Sequence, residues 1–415
     1  MKLFNRNFIL LWQGQFISQL GFFAFTIAAT LWIKHTTSSI ALVGIWLLLS
    51  RSPVLFFGPF GGVLADRYSR VSIIVVCDLL SGISTLLLFV CMFMTTANTT
   101  IMLYLLLTVS LLIAIVDCFF RPAVSALIPD IVPRNKVVMA NSINSGSIQF
   151  SRIIGQCIAG VAFRLLGAPV LFLINALTYI YSAVSEMFIN APRYKKDTQY
   201  NSTLTFGILC KNLLEGLRYV KNDRGLFAVL IELSTFAFFM LPFITLMPFY
   251  IEDILKVSSD WYGYSMGAFG FGSIIGCLCA AKINCPGYLR SNLLRFSFII
   301  DFIALIILVL FPTLFVLVVE ITIFGLTQGY VFIHFTSAVQ LATPTEIRGR
   351  VIGLFETVIF GMSPIAMALA GVAAEVIGKQ ILPVILTCGI VGLTISTIMV
   401  FNRDLKSFLT YTHTL

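Results

Sequence analysis

Charged and amide side chains interrupt stretches of this sequence that are otherwise apolar, and these are the residues equipped for chemistry. Asp117 and Arg121 are four apart, so on a helix they share one face. Arg152, in the next apolar stretch, falls at a comparable depth given a rise of about 1.5 Å per residue. Such an Asp–Arg–Arg group can bind a charged substrate or handle a proton; it can equally be an ion-paired strut between two helices. Glu232 and Glu356 each lie a few residues from the end of an apolar stretch. Loss of water penalises a carboxylate's charged form, which suits both to reversible protonation. Arg51 precedes Ser52-Pro53 and can reach either a cavity or Asp78. Gln15 and Gln19, with Gln13 and Gln328, can hydrogen-bond a substrate or a neighbouring helix. His334 titrates in a useful range, although a lone histidine also serves as a hydrogen-bonded wall residue.

The elements that must position these groups are membrane spans. Hydrophobic residues make up 59% of the 415 and charged residues 11%, whereas a water-soluble domain has about a quarter of its residues charged. A bilayer-crossing helix needs roughly 20 apolar residues. The first half offers six such stretches, at Phe8–Ile33, Ile40–Leu64, Val71–Met94, Ile101–Leu127, Val137–Leu166 and Pro169–Ile189. The second offers Gly225–Tyr250, Trp261–Ala281, Asn292–Phe311, Thr313–Ala338, Val351–Ala374 and Ile381–Phe401. Ionisable groups within spans cost at least a few kcal/mol each, so every one is a functional candidate. The reading is an all-α membrane protein of twelve transmembrane helices. It divides into a six-helix half over 1–190, a central linker over 191–224 and a second six-helix half over 225–415.

The net charge of +9 is a topology signal rather than a nucleic-acid patch. With the N-terminus inside, all but seven of the 27 basic residues face the cytoplasm. Lys34, Arg164, Lys256 and Lys379 face out, and Arg51, Arg121 and Arg152 sit within spans. That excess places both termini in the cytoplasm. The linker opens Pro192-Arg193-Tyr194-Lys195-Lys196 and then becomes amphipathic. Phe206, Leu209, Leu213, Leu217 and Val220 recur at helical spacing opposite Lys211, Glu215, Arg218 and Lys221, as in a helix lying on the membrane surface. No small-residue cleavage site follows the first apolar stretch, so it reads as a retained helix. The nine cysteines are scattered and there are three histidines, so no metal-ligand spacing and no cofactor motif arises. Neither a phosphate-binding glycine loop nor a nucleophile elbow is present. Direct ATP drive and enzymatic catalysis are therefore not expected.

Gly62-Val63-Leu64-Ala65-Asp66-Arg67-Tyr68-Ser69-Arg70 stands between spans two and three and resembles the loop signature of the major facilitator superfamily, G-x-L-a-D-R-x-G-R. The stretches RSPVLFFGPFGG, IPDIVPRNKVVMANS and TEIRGRVIGL are similar to the branch containing macrolide and siderophore exporters. The halves also echo one another: Pro129-Asp130-Ile131-Val132-Pro133-Arg134 after span four is matched by Pro344 to Arg350 after span ten. Gly58 and Gly62, like Gly349 and Gly353, leave a helix face on which a neighbour can approach closely.

The resemblance implies that spans two and eleven pack across the halves. Asp66 would then lie beside the N-terminus of span eleven and Arg70 would pair with Asp130. Gly62, Asp66, Arg67, Arg70, Asp130 and Gly349 are thus expected to form a conformational latch. It also places spans 1, 2, 4, 5, 7, 8, 10 and 11 around the cavity, with Asp78, Glu186 and Asp301 on scaffold helices serving packing. The span-five antiporter signature G-P-x-x-G-G is degraded here to Gly155-Gln156-Cys157-Ile158-Ala159-Gly160. The expected function is export of a small amphipathic or lipophilic compound, such as a drug or siderophore, in exchange for protons by alternating access. An importer or facilitator of a nutrient or lipid on the same fold is the alternative. The expected partners are the small-molecule substrate, protons and the bilayer of a bacterial plasma membrane, with the chain a monomer.

Overall fold

The computed structural model describes residues 3–94, 98–190, 206–282, 286–344 and 347–411, without the side chains of residues 59, 66, 206–213, 360 and 411. Its regular elements are helices: α1 (Arg6–Thr37), α2 (Ile40–Arg51), α3 (Pro53–Arg67), α4 (Arg70–Met94), α5 (Thr99–Ile131), α6 (Val137–Met187), α7 (Phe206–Asn222) and α8 (Arg224–Phe239). There follow α9 (Pro242–Phe249), α10 (Asp260–Lys282), α11 (Gly287–Leu310), α12 (Leu314–Ala342), α13 (Arg348–Val376), α14 (Ile381–Val400) and α15 (Arg403–Tyr411). Helices are the solution a chain this apolar must adopt, because hydrocarbon offers no partner to a free N–H or C=O.

Among the described residues, eleven helical stretches are long and apolar enough to cross a membrane, and one of them, Arg134–Met187, runs for 54 residues. Straight, it would be roughly 80 Å long at 1.5 Å per residue, against a hydrocarbon core of about 30 Å. It folds back instead at Gly167, whose φ of 77° and ψ of 169° suit glycine alone. Both arms then lie along α1: Ser151 Oγ donates to Phe16 O at 2.9 Å and Ser185 Oγ donates to Leu10 O at 3.0 Å. Counting both arms gives twelve passes, the number read from the sequence.

Proline sets the other departures from uniform spans. The second span is two helices, α2 and α3, broken at Ser52-Pro53, and the seventh is α8 and α9, broken before Pro242 and closed by a π-helical turn at Tyr250–Ile254. A ring nitrogen without a hydrogen cannot complete the backbone ladder at either site. Helix α15 lies beyond the last expected span. It buries Leu405 and Leu409, and Asn402 Oδ1 caps it by accepting Asp404 N at 2.9 Å and Leu405 N at 3.1 Å.

The chain forms two compact units. The first comprises Met1–Ser38, Leu49–Leu204 and Ser259–Tyr264; the second comprises Ser39–Leu48, Thr205–Ser258 and Ser265–Leu415. In the first, Phe8 and Leu11 of α1, Ile74 of α4, and Ala123, Leu127 and Ile128 of α5 share one apolar core. In the second, the Phe236 ring packs on Phe298, Phe302 and Phe324 at centroid distances of 5.2, 6.0 and 5.8 Å. Many other phenylalanines, Phe93, Phe315 and Phe401 among them, point outward, as lipid-facing residues do. The basic run Arg193 to Lys196 lies outside the described residues. The amphipathic stretch is helix α7, with Val220 buried.

Candidate functional site

In the first unit Asp117 and Arg121 pair across one turn of α5, Arg121 Nε lying 2.6 Å from Asp117 Oδ2. The Arg121 side chain is 67% exposed and that of Asp117 35%, so the pair faces out of the helix packing. A mid-span ion pair is sustainable there against water, not against hydrocarbon. Asp117 also borders a small, partly open recess, together with Gln19, Asp78, Ser81 and Tyr179. Arg152, on the first arm of α6, is half-buried. Arg51 ends α2 beside Tyr262 and within electrostatic reach of Arg121. The favoured pairing of Arg51 with Asp78 is not found among the described residues, because Asp78 turns toward α6, facing Ser182 and Glu186.

Of the span-one amides, Gln19 lines the recess. Gln15 is buried and donates from Nε2 to Glu186 Oε1 at 3.1 Å. Gln13 donates to Ser185 Oγ at 3.0 Å. Two of the three span-one glutamines are therefore held by the second arm of α6.

The second unit separates the two glutamates chosen for protonation. Glu356 is exposed on α13. Glu232 is buried and turns into the packing between α8 and α14, with Ser396 beside it. Asp301 accepts the Thr327 hydroxyl at 2.8 and 2.9 Å through its two oxygens. Glu320, also buried, has no hydrogen-bond partner on either oxygen. His334 is buried with its ring 4.5 Å from that of Tyr330.

Among the residues of the α3–α4 turn, Arg70 Nη1 pairs with Asp130 Oδ2 and donates to Ala126 O at 3.0 Å, tying α4 to the end of α5. Arg67 is exposed. The Asp66 side chain lies outside the described residues. Among the described residues, a Cβ at Gly62, Gly349 or Gly353 would meet nothing within 4 Å, and one at Gly58 only Val54. A close approach within the first unit falls at Gly61, where a Cβ would stand 2.0 Å from Cys118 O on α5. The helix face that carries Gly61 is the one turned to α5. The two glycines that survive from the antiporter signature also serve packing. A Cβ at Gly155 would stand 2.7 Å from Leu20 O of α1, and one at Gly160 2.8 Å from Asp260 O.

Glu375 escaped the sequence reading. Its Oε2 accepts Ile40 N at 2.8 Å, Ala41 N at 3.3 Å and Ser39 Oγ at 3.1 Å, capping α2. A signal existed: a glutamate in the last turn of a helix opposes that helix's own dipole and so points to a partner elsewhere. Asp260 Oδ2, 3.0 Å from Arg164 Nη1, is a second such contact.

Twelve passes carrying acids, amides and an outward-facing ion pair at depth define a multi-pass membrane transporter. Solved structures agree on the fold. A bacterial homologue of the human lysosomal transporter Spinster superposes with a TM-score of 0.68 at 17% identity, covering 99% of this chain and 96% of that one. A D-xylose–proton symporter superposes with a TM-score of 0.69 at 12% identity, covering 94% and 96%. The chain belongs to the transmembrane secretion effector family, whose profile matches residues 2–412, within the macrolide and siderophore branch of the major facilitator superfamily. Among its relatives are macrolide efflux protein A of Streptococcus pyogenes, 24% identical over 90% of each chain, and the staphyloferrin A transporter of Staphylococcus aureus, 25% identical over 98% of this chain and 97% of that one. A multidrug efflux pump of Mycolicibacterium fortuitum is 23% identical over 85% of this chain and 86% of its own.

Proposed function

We propose that this transporter exports a small amphipathic or lipophilic compound from a bacterial cell in exchange for protons, as a monomer with both termini in the cytoplasm. The observation that carries proton coupling is the set of five buried in-span carboxyls, Asp78, Glu186, Glu232, Asp301 and Glu320. None of the five forms an ion pair with a basic side chain among the described residues. An uncompensated carboxylate in such a place is so costly that it takes up a proton instead. A transporter with several such groups has the means to carry protons, whereas no nucleotide-binding loop offers another energy source. The names of the relatives, two of which move macrolides or drugs outward, support the direction and the class of compound. Asp117, Arg121, Arg152, Arg51, Gln15 and Gln19 supply the polar part of the path, with Glu232 and Glu356 as further groups. In the same reading, Gly62, Asp66, Arg67, Arg70, Asp130 and Gly349 form a latch that opens and closes as the binding site alternates between the two sides.

Everted vesicles containing the overproduced protein test this with a labelled macrolide. Uptake is expected on energisation and is expected to collapse when a protonophore discharges the gradient. Uptake that persists in full after discharge removes proton coupling, and uptake by right-side-out vesicles alone reverses the direction.

A further inference from the structure

Three helices meet around two acids that face each other with no base between them. Asp78 comes from α4, Glu186 from the second arm of α6, and Gln15 from α1; all three are buried. Asp78 and Glu186 interact directly, with the Ser182 hydroxyl beside both. Gln15 satisfies Glu186 Oε1. Beyond one another, Glu186 Oε2, Asp78 Oδ2 and Ser182 Oγ have no hydrogen-bond partner among the described residues. Buried polar groups with so few partners at one point are rare.

The packing holds the acids together. A Cβ at Gly82 of α4 would press on Ile180 Cγ1 at 2.9 Å and Ala176 O at 3.3 Å, and a Cβ at Gly14 of α1 would stand 2.9 Å from Ser182 Oγ and 3.5 Å from Glu186 Oε1. Glycine at both positions lets α1 and α4 close on α6 and leaves room at the pair. The groups facing it are mostly acidic or neutral. Cys77 and Asp78 come from α4, Asp117 from α5, and Tyr179 and Glu186 from α6; α1 contributes the neutral Gln15. Arg121, which acts on the neighbouring Tyr179, is engaged by Asp117. Two carboxylates this close cannot both be ionised, and a carboxylate has no hydrogen to offer the other. A structural strut would use an amide or a base at one of the two positions.

Asp78 also has an outlet. It lines the same recess as Asp117, Ser81 and Gln19, so one member of the acid pair shares that opening with Asp117. We propose that Asp78 and Glu186 form the site of an exchangeable proton, loaded and unloaded through the Asp117 recess, and that this is the coupling site of the transporter. A proton arriving on water in the recess binds Asp78 Oδ2 and converts the singly protonated, monoanionic pair to the neutral pair; its departure restores the monoanion. The assignment of coupling rests on the proton-exchange reading above, whereas the site itself does not.

Infrared difference spectra of the purified full chain in lipid, taken across a pH titration, read the site without any substrate. The wild type is expected to show a carboxylic-acid band that changes with pH, and Asp78→Asn and Glu186→Gln are each expected to abolish it. Asp78→Glu, which keeps two acids, is expected to retain it. The same band in wild type and both neutral variants would overturn the site. If the neutral variants fail to insert, Ser182→Ala is the second test: the band's midpoint is expected to move by about one pH unit on loss of the adjacent hydroxyl, and an unmoved midpoint counts against the pair. A change driven by sodium at constant pH would reassign the site to that cation. In proteoliposomes, proton-gradient-driven accumulation of a labelled macrolide is expected to fall at least ten-fold in both neutral variants. Accumulation within two-fold of wild type would overturn the coupling role, while a wild type that shows the band but no gradient-driven transport would sink the exporter reading alone.

Discussion

Replacing Glu375 tests whether one carboxylate seats the start of α2. The residue stands in the last turn of α13, yet its Oε2 receives the first two α2 amides and the Ser39 hydroxyl, while Lys379 Nζ lies 3.8 Å from Oε1. A hydrogen bond to a charged acceptor is worth about 1.5–3 kcal/mol net and a helix cap typically about 1 kcal/mol. The Glu375 side chain is 31% exposed, so the lower part of that range applies, and Glu375→Ala is expected to cost about 2 kcal/mol. At 1.4 kcal/mol per factor of ten, local opening of residues 39–48 rises roughly 30-fold. Glu375→Gln keeps a neutral acceptor and is expected to give about 5-fold, since neutral hydrogen bonds are about half as strong. Hydrogen–deuterium exchange of the protein in lipid nanodiscs, read on peptides covering 38–48, measures this directly. Lys379→Ala is the control, expected to stay within two-fold because an exposed ion pair contributes little. Protection of 38–48 within two-fold of wild type in the alanine variant, or equal losses for alanine and glutamine, would refute the capping role.

Two further substitutions separate neighbouring positions. Gly61→Ala drives a methyl into Cys118 O, 2.0 Å from the ideal Cβ, and overpacking of this kind costs about 1–3 kcal/mol; Gly62→Ala, with open space around it, is expected to be neutral. Thermal unfolding in detergent should therefore drop by a few degrees for the first and not for the second, and equal midpoints would remove Gly61 from the α3–α5 contact. Asp66→Asn, at unchanged membrane levels, is expected to reduce macrolide transport at least ten-fold, and full transport would leave the turn without a latch function.

What the sequence made legible was local in kind. Hydropathy is summed along the chain, so all twelve passes could be counted, including the two that join at Gly167. The spacing of Pro53 and Pro242 lay in plain view but fell inside stretches read as single spans. Helix α15 was missed because nine residues carrying Leu405, Phe408 and Leu409 announce no element until Gly225 is seen packing against Phe408 and Gly287 against Thr410. Contacts between distant segments were harder. The Arg70–Asp130 pair was accessible because a family motif supplied both ends. Glu375 and the start of α2 share no motif, and only their geometry brings them together. Gly61, with no spacing motif of its own, is the glycine of this stretch that meets α5.

Depth and helix class were the criteria available for sorting the in-span acids, and they rank these residues differently from compensation. Asp117 lies deep on a lining helix but has Arg121 one turn away, so its charge is already balanced. Asp78 and Glu186 sit on helices assigned to scaffolding and have no base at all. A proton is needed where charge is uncompensated, and it can be exchanged only where water reaches. Asp301 shares the single hydroxyl hydrogen of Thr327 between its oxygens, and Glu232 is walled in by α8 and α14. Asp78 combines the two requirements: it is paired with a second acid on one side and borders the Asp117 recess on the other. A scaffold helix is therefore no obstacle to a coupling role, because a proton, unlike a substrate, needs no cavity wider than a file of water.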